Sequence, residues 1–266
     1  MKFPVALQLY SVRDFMEKDV KGTLAKVKAM GYNGVELAGL FGFSAVEMKS
    51  MVEEAGLELM SAHVPVPELL KDEVLDDYAA AGLKFIVIPW MEVAQNDDDF
   101  KADIEKIRSI GERTKARGMQ LLYHNHDFEF QKKNGEYVLD IYYSSIEPEY
   151  LQTEIDTCWA NVGGENPAEY VKKYTGRAPV VHLKDFEGSK SDNMYALIGR
   201  DDKKENSGKT FSFKPVGYGV QNFPEIIKAA EAAGTKWLVV EMDSPSDNLT
   251  SLECAEKGIN YLKTVL

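Results

Sequence analysis

The sequence predicts a single-domain α/β protein folded as a (β/α)8 TIM barrel, and three observations carry that prediction. Short apolar runs alternate with amphipathic stretches about eight times along the 266 residues, the repeat number of such a barrel. Glycine repeatedly follows the amphipathic stretches, as where a helix stops before the next parallel strand. All four histidines, His63, His124, His126 and His182, stand at the C-terminal ends of apolar runs, and that edge is where a barrel of this kind builds its active site. An open doubly wound sheet would carry a glycine-rich turn after its first strand, where LYSVRD stands instead.

Taken in order, Phe3–Tyr10 reads as the first strand and Val20–Met30 as a helix closed by Gly31. Gly34–Leu37 is a short second strand ending near Glu36. Ser44, with Glu47 three residues on, forms a capping box for the helix Ala45–Ala55, and Gly56 ends it. Leu57–His63 is the third strand, Glu68–Ala80 a helix, Leu83–Ile88 the fourth strand with Pro89–Trp90 at its exit, and Asp97–Arg117 a long helix. The fifth strand opens the stretch Leu121–Phe130, LLYHNHDFEF, and a helical segment Val138–Ile146 follows. Leu151–Thr157 is the sixth strand; Asn166 caps Pro167–Tyr174, with proline at the first helical position. Pro179–Lys184, the helix Asn222–Ala233, Lys236–Met242 and the helix Leu249–Val265 complete the series. The connection Phe186–Gln221 is far longer than a usual strand-to-helix loop. Within it Tyr195–Ile198 and Thr210–Phe213 are expected to pair as a hairpin with DDKKENSG at its tip, either a solvated excursion or a lid over the barrel mouth. The whole of 1–266 is thus expected to be one barrel with a polar insertion at about 186–221.

Composition narrows the function. With 44% hydrophobic residues the chain can bury one large core, and its net charge of −12 argues against nucleic acid or an anionic membrane surface as partner. Two cysteines, Cys158 and Cys254, make no disulfide framework. The N-terminal MKFPVALQLYSVRD is apolar too briefly for a signal peptide, and no run approaches a membrane span. A cytoplasmic protein with a small-molecule partner is expected.

Strand alternation gathers chemistry at one rim. It puts His124 and His126 on one face of the fifth strand; Glu154, Asp156 and Cys158 share a face of the sixth; His182 and Lys184 pair on the seventh, Glu241 and Asp243 on the eighth. Imidazoles and carboxylates converging from four neighbouring strands suit divalent Mn, Zn, Co or Fe. Asp156, His182 and Glu241 are the favoured ligands because each has matching partners on adjacent strands; His124 is preferred to His126 because it lies nearer the strand body. Cys158 reads as a small buried thiol. Lys184 either pairs with Asp156 or Asp185, or serves as a cation for an oxygen that develops negative charge.

The motifs QLYSVRD, YHNHDFEF, DTCW, VVHLKD, VGYGV and VVEMD together resemble the sugar phosphate isomerase/epimerase branch of the xylose-isomerase-like TIM-barrel superfamily, which includes inosose dehydratase and the ketose 3-epimerases. The resemblance spans essentially the whole chain. It implies a divalent metal, usually manganese, held by one ligand from each of strands five to eight: His124, Asp156, His182 and Glu241. It also implies an isomerase or epimerase acting on a sugar or keto-sugar, by proton abstraction α to a carbonyl and a metal-stabilised enolate. Two positions depart from the ketose 3-epimerases, which carry glutamate where His124 stands and tend to carry histidine at Trp159. His-Asn-His is similar to the inosose dehydratase-like members, so the alternative is a lyase that dehydrates an inosose or cleaves a 3-keto-glycoside by β-elimination. Glu241 or His126 is the expected base and Lys184 the assisting cation. Glu36, His63, Trp90, Tyr10, Arg13 and Trp159 are the expected sugar-binding residues. A sugar or cyclitol substrate and, by analogy with dimeric superfamily members, a homo-oligomer follow.

Overall fold

The computed structural model describes residues 3–191, 194–195, 197 and 211–266. Eight parallel strands close a barrel in sequence order: β1 (Val5–Gln8), β2 (Gly34–Ala38), β3 (Glu58–His63), β4 (Phe85–Ile88), β5 (Gln120–His124), β6 (Gln152–Asp156), β7 (Val180–Leu183) and β8 (Trp237–Val240), with β8 pairing back onto β1. The expected TIM barrel is the fold. Helices follow the strands and cover the outside, and no helix among the described residues is long and apolar enough to cross a membrane.

Local signals place the helices. Val20–Met30 stops at Gly31 and Phe223–Ala233 at Gly234, both in the left-handed region (φ 104° and 80°) that a side chain resists. Ser44 and Glu47 form the expected capping box, and Thr250 with Glu253 forms a second one at the start of Ser251–Val265. Several bounds differ from the sequence reading. The first strand is shorter because Leu9–Val12 turns into a 3-10 helix. The expected helix Glu68–Ala80 is two pieces, Val66–Leu69 and Asp72–Ala80. After β6 the chain turns at once into the helix Thr157–Val162, so Cys158 is helical and not a continuation of the strand face.

Alternation along the strands makes two cores. Outward residues such as Leu7, Leu121, Tyr123, Val181 and Leu238 pack with the helices. Inward, Ala6, Met60, Val87, Leu122, Val180, Trp237 and Val239 form an apolar floor inside the barrel. Polar side chains fill the layers above that floor, toward the C-terminal ends of the strands, and Gln8, Glu36, His63, His124, Glu154, Asp156, His182 and Glu241 are all buried. Burying so many ionisable groups costs several kcal/mol per ion unless each is partnered. Their partners therefore define the site.

The long connection is anchored differently from the expectation. Phe211–Lys214 does form a strand, and it pairs antiparallel with Asp185–Gly188; Ala196, Ile198 and Thr210 of the expected hairpin lie outside the described residues. The register Phe186 to Phe213 puts two aromatic side chains opposite each other, which rewards this pairing. The carboxylate of Asp185 accepts the backbone N–H groups of Phe186, Gly217, Gly219 and Gln221 at 2.8–3.1 Å, pinning the return of the chain. Tyr195 lies in no strand and donates its hydroxyl to Asp127 at 2.7 Å, while Lys190 pairs with the same carboxylate at 2.6 Å. The expected tip DDKKENSG, 201–208, falls outside the described residues.

Candidate active site

At the top of the barrel β5 to β8 bring His124, Asp156, His182 and Glu241 together, with one ligand-type atom of each within 4.8 Å of the others. Each side chain is oriented by its strand end. His124 is tethered through Nδ1, 3.1 Å from the carbonyl of Pro89, and this turns Nε2 inward. Asp156 ends β6 and also caps the helix that follows, Oδ1 accepting the Trp159 N–H at 2.9 Å and leaving Oδ2 inward. Asn125, between the two histidines of strand five, points to the neighbouring strand: its Oδ1 accepts the Asp156 N–H at 3.0 Å. That bond locks the ends of β5 and β6 in register.

His124 Nε2 and Asp156 Oδ2 are buried and have no good hydrogen bond among the described residues. They stand 3.5 Å apart, and His124 Nε2 is 3.6 Å from Glu241 Oε2, longer than ordinary N–H···O bonds. Two imidazoles and two carboxylates around a common point form a donor set suited to a divalent transition metal. His126 is turned away from this set. Its ring stacks on Phe128 (5.1 Å, 7°) and lies 5.2 Å from Trp159. Burial, then the charges of His124 and Lys184, hold its imidazole well below the usual histidine range, so it is neutral.

Lys184 lies beside the four. Its Nζ is 2.5 Å from Asp243, 3.3 Å from Glu241 and 3.9 Å from Asp156, and 5.0 Å from the centre of the Trp159 ring. Burial opposes its charge, but Asp243, Glu241 and Asp156 outweigh it and hold the amine above the ordinary lysine range. Burial likewise opposes ionisation of Glu241, yet Lys184, His124 and His182 hold this carboxyl well below the usual carboxylate range. Asp243, by contrast, is pushed up by burial to about 6. Paired charges of this kind satisfy the electrostatic cost of the interior.

A recess over the donor set is lined by Tyr10, His63, Pro89, Trp90, His124, His126, Lys184, Glu241 and Asp243. The structure therefore gathers Tyr10, His63 and Trp90 around the same opening as Glu241, His126 and Lys184. Arg13 reaches the opening only indirectly: its guanidinium lies 3.9 Å over the Tyr10 ring and donates to the carbonyls of Tyr10 and Asp243. Trp159 is wholly buried behind Lys184, under Tyr195 and Phe211. Glu36 sits a layer deeper, where it accepts from Gln8 at 2.7 Å and from Ser61 and lies 2.8 Å from His182 Nε2. A register shift opposite Val35–Glu36 leaves Met60 of β3 as the extra residue, so that Glu36 faces Ser61.

Two buried acids were not singled out from the sequence as site residues. Glu154 lies beneath the donor set, 2.6 Å from His63 and 3.0 Å from His182, and its position was readable because it shares a strand face with Asp156. Glu129 supports the turn after β5, accepting the Tyr123 hydroxyl and the His126 N–H, each at 2.8 Å; burial pushes its carboxyl up to about 8. Nothing in the spacing of DFEF marks that inward turn.

The profile of the family described as xylose isomerase-like TIM barrel matches residues 24–265. Inosose dehydratase from Clostridium botulinum (strain Alaska E43 / Type E3) is 24% identical, over 93% of this chain and 90% of its own length. A crystal structure of a sugar phosphate isomerase/epimerase from Parabacteroides distasonis ATCC 8503 superposes with a TM-score of 0.78 at 27% identity, covering 97% of this chain and 93% of that one. D-psicose 3-epimerase from Clostridium cellulolyticum H10 shares the fold (TM-score 0.67, 99% of each chain), and at 12% identity that likeness concerns fold alone.

Proposed function

The chain belongs to the xylose isomerase-like TIM-barrel family, and from that premise we propose a divalent-metal-dependent enzyme that removes a proton α to the carbonyl of a keto-sugar or keto-cyclitol. The observation that carries the reading is the donor set itself. His124 Nε2 and Asp156 Oδ2 are buried without hydrogen-bond partners among the described residues, and His182 and Glu241 complete a four-ligand cluster around the same point. The set suits manganese, and zinc, cobalt or iron would also be accepted. Bound there, such a cation supplies Lewis-acid polarisation of the substrate carbonyl.

The chain's own residues account for the rest. Glu241, held ionised by Lys184 and the histidines, is the base that takes the α-proton. Lys184 presents an ammonium in the same recess for the oxygen that gains negative charge. Tyr10, His63 and Trp90 are placed to meet hydroxyls or a ring face, and Arg13 keeps Tyr10 in position. Lys190 and Tyr195 fasten the start of the insertion to Asp127, next to His126, which supports the lid reading of 186–221. A cytoplasmic setting without nucleic acid or membrane fits the net charge of −12.

Two outcomes share this first step. Isomerisation or epimerisation is supported by a second proton-transfer group, neutral His126, lining the same recess as Glu241. Elimination is the second reading, supported by an imidazole rather than a second carboxylate at the strand-five position and by relatives named inosose dehydratase. Metal content should be measured by elemental analysis before and after chelation, in the native chain and in His182→Ala. About one equivalent per chain, lost in the variant, is expected; a chain that takes up no metal on reconstitution refutes the proposal. With a panel of keto-sugars and keto-inositols in deuterated solvent, Glu241→Gln should abolish α-proton exchange. Loss of water or of a glycosidic leaving group, as opposed to a rearranged sugar, decides between lyase and isomerase.

A further inference from the structure

Among the four proposed ligands His182 is unusual, because carboxylates meet both of its ring nitrogens. Nδ1 lies 3.0 Å from Glu241 Oε2, on the side of the donor set. Nε2 points down the barrel, 2.8 Å from Glu36 Oε1 and 3.0 Å from Glu154 Oε1. The two lower carboxylates are themselves held. His63 Nε2 bridges them at 2.6 Å to Glu154 and 3.2 Å to Glu36, with its ring stacked on that of His182 (5.5 Å, 12°). Gln8 and Ser61 donate to Glu36 from the neighbouring strands.

We propose that Glu36 and Glu154 are positioning residues that hold the Nε2–H of His182 and so leave Nδ1 as the nitrogen presented to the cation. The proposal rests on the metal-site reading above. An imidazole offers two nearly equivalent nitrogens, and a half-turn of the ring exchanges them; a carboxylate accepting from one of them selects the tautomer and the orientation. Here the acceptors lie deep in the barrel, none of the three inner side chains is more than 2% exposed, and water does not compete for the bond. His63 has a matching part. One N–H cannot satisfy two carboxylates, and the second imidazole supplies the donor that keeps both in place. The four inner groups, Glu36, His63, Glu154 and His182, also lie close enough to ligate a cation of their own. Their 2.6–3.2 Å contacts, however, are the lengths of N–H···O bonds with a proton between the atoms.

The test uses the full chain labelled with 15N-histidine and loaded with zinc, read by long-range proton–nitrogen spectra of the rings. His182 should show a protonated Nε2 and a zinc-bound Nδ1; zinc on Nε2 overturns the proposal while leaving the metal site intact. Zinc affinity of the double variant Glu36→Gln/Glu154→Gln, measured against a competing chelator, should be 10- to 100-fold weaker than in the native chain, the usual effect of removing outer-shell partners of a liganding histidine. Unchanged affinity overturns the proposal. So does binding of two zinc ions in the native chain that falls to one in the double variant, because the inner group is then a ligand set. If no histidine ring responds to zinc at all, the metal-site reading fails and this proposal with it, and the silence of all four rings distinguishes that failure. The ring spectrum is taken on the native chain, so the assignment stands even where the double variant folds poorly.

Discussion

Glu129→Gln should make the stability of the metal-free chain less sensitive to alkali. The carboxyl is fully buried under the turn after β5, accepts the Tyr123 hydroxyl and the His126 N–H, and is pushed by burial from 4.5 to about 8. A raised carboxyl favours folding in its neutral form. The stability it contributes is complete below the unfolded value near 4.5 and is lost as pH rises through about 8. At ~1.4 kcal/mol for each tenfold change in proton affinity, the full loss amounts to roughly 5 kcal/mol. In a chain of this size that is on the order of 10 °C in melting temperature. Glutamine keeps both bonds, its oxygen accepting from His126 and its amide donating to the Tyr123 oxygen, and it does not titrate. Melting temperatures of both proteins at pH 6 and pH 9, in chelator, provide the comparison. The native chain should lose several degrees more than the variant over that interval. Parallel losses would show that burial does not hold Glu129 neutral, and the reasoning would be refuted.

Two further substitutions probe how the site is framed. Asp185→Asn keeps one acceptor oxygen but turns an amide group toward two of the four backbone N–H groups that the carboxylate now accepts. Denaturant unfolding should show a loss of about 2–4 kcal/mol, and a change under 1 kcal/mol would mean that the return loop is held by other contacts. Gly217→Ala meets a left-handed backbone (φ 91°) and a Cβ position 2.2 Å from the Tyr261 ring, whereas Gly118→Ala meets the same backbone strain with open space around it. Thermal melts should rank the first as costlier by about 2 kcal/mol, and equal costs would refute the clash.

The barrel was legible because its signals are local and repeated: glycine stops, capping boxes, and apolar runs of strand length. The helix Val20–Met30 and the convergence of His124, Asp156, His182 and Glu241 both follow from such patterns. What escaped depends on contacts between distant segments. Alternation gives the face of Glu36 but not its height, and the extra residue Met60 on β3, which brings Ser61 opposite Glu36 beneath His182, shows only in the register. Asp156 ends a strand and caps a helix with the same side chain, so β-rich TCW reads as strand when it is the first turn of Thr157–Val162. Phe211–Lys214 carries an aromatic alternation that announces a strand, but its partner Asp185–Gly188 includes aspartate, glutamate and glycine, which strands disfavour. Only the pairing itself identifies it.

The way the insertion is closed at its base bears on how such enzymes diversify. The pair Asp185–Gly188 with Phe211–Lys214, together with the four bonds to Asp185, fixes both ends of the insertion at its base. Chain inserted between two such clamps changes closure entropy only slowly, by ~0.6 kcal/mol for each doubling of length. That stretch is therefore an exchangeable module. Its length can drift, or the stretch can be grafted from a relative, while the donor set on β5 to β8 keeps its own supports.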